Sequence, residues 1–165
     1  FDFVASLLPA DADVTVTAFR GAPRVDLSLP ALEATVVIEW PGGRATVSFD
    51  AGCLYGSGDS TTVIGTYGSV TSTGPDGGTQ EVTLNLSAGR AKPELTGKWF
   101  NDGFAGTMAE LLDASTTGRK ARNDAEGNLR SLMLCFAAIE SADTGNPVKV
   151  GTVMHLPAGA IPDNA

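Results

Sequence analysis

The sequence predicts an α+β fold: an open-faced, mostly antiparallel mixed β-sheet covered by helices on one side. Three observations carry this expectation. Short stretches of apolar–polar alternation fill the first half of the chain, the period of two expected of half-buried strands. Turn-forming residues punctuate them, with 20 Gly and 9 Pro in all, so the segments between turns are short. Past Pro93 the apolar spacing changes to the three-and-four rhythm of helices. A chain of 165 residues suits one domain and is long enough to bury a core without staples.

Taken in order, residues 1–8 form a short helix. Phe1, Val4 and Leu8 share a stripe, Asp2 suits the positive helix end, and Pro9 stops it. Residues 13–20 alternate, with Val14, Val16 and Ala18 on one face and Thr15 and Thr17 on the other. A Pro-marked connector holding Pro23 and Pro30 follows. Residues 34–40 repeat the alternation through Val36, Ile38 and Trp40. Pro41-Gly42-Gly43 then supplies a tight reversal, and residues 44–49 return with Ala45, Val47 and Phe49 inward. This is a β-hairpin. Further strands are expected at 61–65, 69–73 and 81–86, the last after Pro75-Asp76-Gly77-Gly78. Phe104, Met108, Leu111 and Leu112 then mark a helix between Asp102 and Ser115, stopped by Gly118. A second helix starts at Asn123, with Glu126 three residues on, and runs to Thr144. It is apolar around most of its circumference, which predicts cover on more than one side. Residues 148–150 close the series as a short strand.

Composition excludes several function classes. Apolar residues at 42% and charged residues at 18% argue against disorder. A net charge of −8 repels phosphate backbones and anionic lipid, so neither nucleic acid nor membrane is an expected partner. No stretch approaches the ~18 consecutive apolar residues of a membrane span. Cys53 and Cys135 lie far apart, and are expected to be buried or half-buried free thiols of a reducing, cytoplasmic compartment. The chain opens inside an apolar run without an initiator Met, as expected of a piece of a longer protein.

The chemistry-bearing residues are few. Gly56-Ser57-Gly58-Asp59-Ser60 lacks the third glycine of a dinucleotide loop and the lysine of a P-loop. It is expected to be a mobile loop or a strand connection. His155, the sole histidine, has no neighbours at metal-ligand spacing, so no metal site is expected. Glu33, Glu39, Asp50, Glu81, Glu94, Asp102 and Glu110 are numerous enough for an acid–base pair of the glycosidase kind, but spacing brings no two together. Trp99-Phe100-Asn101-Asp102 precede the first long helix and set polar groups beside aromatics. Asp102 equally suits a helix cap, and the aromatics a core.

Several segments together resemble the C-terminal domain of the glucose–fructose oxidoreductase/inositol dehydrogenase/MocA (Gfo/Idh/MocA) family. They are residues 99–112 (WFNDGFAGTMAELL), residues 128–142 (NLRSLMLCFAAIESA) and Thr144-Gly145-Asn146-Pro147-Val148. Ala34-Thr35-Val36, Trp40-Pro41-Gly42-Gly43 and Val63-Ile64-Gly65-Thr66-Tyr67-Gly68 agree as well. The resemblance spans nearly the whole chain and is specific as a combination. It implies an α+β substrate and oligomerisation domain of an NAD(P)-dependent oxidoreductase acting on a sugar, polyol or related carbonyl compound. It also implies that NAD or NADP is bound by an N-terminal Rossmann domain, and that the open sheet face makes a homo-oligomer. The family's Glu-Lys-Pro motif is absent, and of its Asp-x-Gly-x-His-x-x-Asp motif only the last position is represented, by Asp2. The chain alone is therefore expected to bind no cofactor and to be inactive. Asp2, Trp99, Asn101 and Asp102 are the substrate-binding candidates, with no catalytic residue. A stand-alone ligand-binding or structural α+β module and an unrelated carboxylate-pair hydrolase are the competing readings.

Overall fold

The computed structural model describes residues 1–22, 32–53, 55–75 and 78–155, with Trp99 described in its backbone. The Pro23–Pro30 connector and the centre of the Pro75–Gly78 reversal lie outside the described residues. The order is α1 (Asp2–Leu7), β1 (Thr15–Arg20), β2 (Glu33–Trp40), β3 (Gly43–Asp50), β4 (Asp59–Gly65), β5 (Gly68–Gly74), β6 (Glu81–Leu86), β7 (Gly89–Ala91), α2 (Trp99–Thr117), α3 (Ala125–Thr144) and β8 (Val148–Lys149). The fold is α+β, as the sequence predicts. The strands divide between two four-stranded sheets, and every pairing among the described residues is antiparallel. The two sheets belong to two compact units, one containing Phe1–Gly52 and the described residues from Asp124 onward, the other Cys53–Asn123.

In the first unit the sheet runs β3-β2-β1-β8. The register Ala18↔Val36 and Val16↔Ile38, with Val36↔Val47 and Ile38↔Ala45, puts the predicted apolar set on one face. Thr17, Thr35, Thr46 and Ser48 take the other, because successive strand side chains alternate. α3 covers the apolar face with Leu134, Ala137, Ala138 and Ser141, whose spacing is one helical stripe. Alanines at two of the four positions let the helix backbone come close to the strands. Val16, Ile38 and Leu134 are wholly buried, each worth about 1.5–3 kcal/mol of transfer free energy. α1 adds Ala5 to the same core.

The sequence places the α3 cap one residue early. Asp124, not Asn123, is the N-cap, and its Oδ1 accepts the Gly127 N–H at 2.7 Å. Asn123 instead donates from Nδ2 to Thr107 O at 3.3 Å. Gly145 ends the helix in the left-handed conformation at φ 71°, its N–H closing on Ser141 O.

The second unit holds the meander β4-β5-β6-β7 and α2. The register aligns Val63, Val70, Leu84 and Ala91 in one cross-strand row and Thr62, Thr71 and Thr83 in another, on the opposite face. Gly68 stands where β5 passes close to β6: an added Cβ would lie 2.3 Å from Asn85 O. β7 was not foreseen, being only three residues with no alternation to read. α2 begins three residues before the expected start, at Trp99, and Gly118 ends it at φ 71°.

Candidate functional site

Asp2 is the first residue of α1 and is exposed. Its Oδ1 accepts a hydrogen bond from Ser131 Oγ on α3 at 2.8 Å. One residue earlier, the Arg130 guanidinium donates to Leu8 O at 3.0 Å and also to Pro9 O. α1 is thus held at its carboxylate end and at its carbonyl end by neighbouring residues of one helix.

Trp99, Asn101 and Asp102 stand together on the first turn of α2, not before it as the sequence suggests. Asn101 is exposed; the Trp99 side chain lies outside the described residues. Asp102 folds back on its own helix start, where Oδ2 accepts the N–H of the N-cap residue Lys98 at 2.5 Å. Gly97, at φ 87°, lies beneath it: an added Cβ there would stand 2.8 Å from Asp102 Oδ2. Asp102 therefore satisfies one of the open backbone donors of a helix N-terminus, although it is not the N-cap. Asp2 belongs to the other compact unit from these three.

Sequence reading missed Ser131 and Arg130, whose only signal was polarity inside the apolar run of α3. Ser141 was missed for the same reason. It is wholly buried, and its Oγ accepts the Ala18 N–H at 2.9 Å.

The remaining candidates separate. A groove of about 350 Å³ in the first unit is lined by Phe19, Arg20, Glu33, Phe49 and Asp50 among others. Glu33 and Asp50 are directly opposed across β2 and β3, but both are exposed, so the pair lacks the enclosure that acid–base tuning requires. Cys53 is exposed rather than buried, and Cys135 is half-buried; both are free thiols. Cys53 lies just past the last turn of the β3 segment, outside the buried core cluster of the first unit. His155 is exposed.

Gly56-Ser57-Gly58 does not fit a dinucleotide cradle. Such a site sets a glycine turn between a parallel strand and a helix, whereas Gly56-Ser57-Gly58 leads into the antiparallel strand β4. Among the described residues no helix is long and apolar enough to cross a membrane.

The chain has structural counterparts among solved proteins. An oxidoreductase from Agrobacterium radiobacter, solved with NAD+, L-tartaric acid and magnesium, superposes with a TM-score of 0.70 over 91% of this chain and 46% of its own, at 20% identity. The aldose–aldose oxidoreductase from Caulobacter crescentus, solved with glycerol, gives 0.69 over 83% of this chain and 41% of its own, also at 20% identity. This chain has the fold of these oxidoreductases. An NAD-binding protein from Listeria innocua matches too, at 0.57 and 16% identity, over 90% of this chain and 44% of its own. The first two neighbours are of the Gfo/Idh/MocA type that the sequence resembles. The chain spans less than half the length of each of these three proteins. No protein-family model matches the sequence, and no curated protein does.

Proposed function

We propose that this chain is the substrate-binding and oligomerisation domain of an NAD(P)-dependent oxidoreductase of the Gfo/Idh/MocA family, acting on a sugar, polyol or related carbonyl compound. The observation that carries the reading is the correspondence of nearly the whole chain to less than half of an oxidoreductase solved with NAD+. A second structural feature supports it. In the first unit, Phe3 and Leu7 on α1 and Leu129 and Leu132 on α3 are exposed apolar side chains. Exposed apolar surface on this scale suits a polypeptide partner, here the cofactor-binding part of the same protein.

The division of labour follows from the residues. Hydride transfer needs a bound nicotinamide and a positioned proton donor or acceptor, and this chain offers a pocket wall instead. Asp2 in the first unit and, separately, Asn101 and Trp99 in the second are the proposed substrate-contact positions; Asp102 closes the helix start on which the last two stand. Glycerol and L-tartaric acid in two of the neighbours support a polyhydroxylated ligand, since carboxylates and amides accept and donate to vicinal hydroxyls.

The test is a cofactor-dependent screen of the full-length protein with NAD and NADP against sugars and polyols, alongside the 165-residue chain. The expected result is cofactor reduction by the full-length protein and none by the chain alone. Absence of activity in the full-length protein across the panel, or cofactor binding by the isolated chain, overturns the proposal.

A further inference from the structure

We propose that Ser131 is a positioning residue that fixes the Asp2 carboxylate for substrate; the proposal rests on the oxidoreductase reading above. Ser131 lies in the second turn of α3 with Leu132, Met133 and Leu134 directly after it. It is only 7% exposed. A serine hydroxyl inside a helix ordinarily bonds back to the carbonyl one turn earlier. Here Oγ reaches across to Asp2 Oδ1 instead, at 2.8 Å.

Among the described residues, Ser131 is the hydrogen-bond partner of that carboxylate. The adjacent Arg130 holds the Leu8 and Pro9 carbonyls just past the far end of α1. A six-residue helix is too short to persist by itself, so its orientation is set by Arg130 at its far end and by Val4, Ala5 and Leu8 in the core, which leaves the Ser131 bond to act on the Asp2 carboxylate.

The consequence is chemical. Asp2 is exposed, and an ionised carboxylate has about four acceptor sites. With one oxygen held by a buried hydroxyl, the other is presented in a fixed direction, suited to accepting hydrogen bonds from the hydroxyls of a polyol. Fixing the group before substrate arrives removes the rotational freedom that binding would otherwise have to quench. A mere tether between α1 and α3 would contribute to stability and leave the kinetics alone.

The experiment uses the full-length protein with Ser131→Ala, the near-isosteric pair Ser131→Thr and Ser131→Val, Asp2→Asn, and the Ser131→Ala/Asp2→Asn double variant. Thermal stability is measured for each. Loss of a hydrogen bond to a charged group predicts a fall of about tenfold in kcat/KM for Ser131→Ala and Ser131→Val. Ser131→Thr keeps kcat/KM near wild type, and the double variant is no worse than Asp2→Asn alone. In a crystal structure of Ser131→Ala, α1 stays in place while the Asp2 carboxylate turns from its wild-type direction. Should Ser131→Ala not fold, the Thr and Val variants carry the comparison. Wild-type kcat/KM in the Val variant, multiplicative losses in the double variant, or an unmoved Asp2 in the crystal overturns the positioning role while the oxidoreductase reading stands. A wild-type protein without NAD(P)-linked activity overturns both.

Discussion

Ser141 supplies to β1 what β8 is too short to give. β8 pairs with β1 only at Thr15 and Val16, so the Ala18 N–H further along has no strand beside it, and the buried Ser141 hydroxyl accepts it instead. Ser141→Ala leaves that donor buried and unsatisfied, an expected loss of about 1–3 kcal/mol, measured by urea denaturation of the chain. Unchanged stability would mean that water reaches the site. The same logic explains which residues sequence reading passed over. A serine in an apolar run carries no mark of its partner, because the partner is more than a hundred positions away in the chain. Asp102 shows the converse: its carboxylate was legible as a helix-start group, but capping from the fourth residue and presenting a free carboxylate look alike until Lys98 is seen beneath it.

At the scale of elements, the turn from α2 toward α3 is tied down by ions. Arg119 pairs with Glu110 at 2.7 Å and with Asp113 at 2.6 Å, and the Arg122 N–H donates to Glu110 Oε1 at 2.8 Å. The Arg119 side-chain hydrogen bond, then the Arg122 N–H, hold the Glu110 carboxyl down from its ordinary 4.5 to about 2. A depressed folded-state pKa means stabilisation that is present above about pH 4.5 and lost as pH falls through about 2. Solvent screening keeps it small. Arg119→Met is expected to return the Glu110 titration toward 4.5 and to lower amide protection over residues 118–123, both read by NMR. A Glu110 titration unmoved from about 2 would assign the depression to other groups. The hairpin of β2 and β3 was legible because alternation and the Pro41-Gly42-Gly43 turn agree, although Phe49, expected inward, is exposed near its strand end. The α3 start was not, since Asn123 and Asp124 are both good caps and only the backbone at Asp124 decides between them.

For the whole molecule, the expectation concerns assembly. The β1–β3 face away from α3 carries half-buried Thr15, Thr17, Thr35 and Val37, with Glu39 opposite Arg44 and Glu33 opposite Asp50 toward its two ends. A sheet face with a neutral centre and charges of both signs at its ends suits pairing with a second copy of itself through a two-fold contact. Light scattering of the full-length protein is expected to give an oligomer, and Val37→Lys is expected to shift it toward monomer. A full-length protein that remains monomeric at high concentration would remove oligomerisation from the proposed role.

By itself the sequence determined the α+β class, the turns, and the inward face of the first four segments, because alternation, helical spacing and turn residues are local signals that pairing does not have to reveal. Only the tertiary structure decided that the strands divide between two sheets, that Ser131 and Arg130 hold α1, and that Asp102 closes its own helix. Those outcomes depend on hydrogen bonds between distant or competing partners, and a side chain chooses among such partners only once the chain has folded.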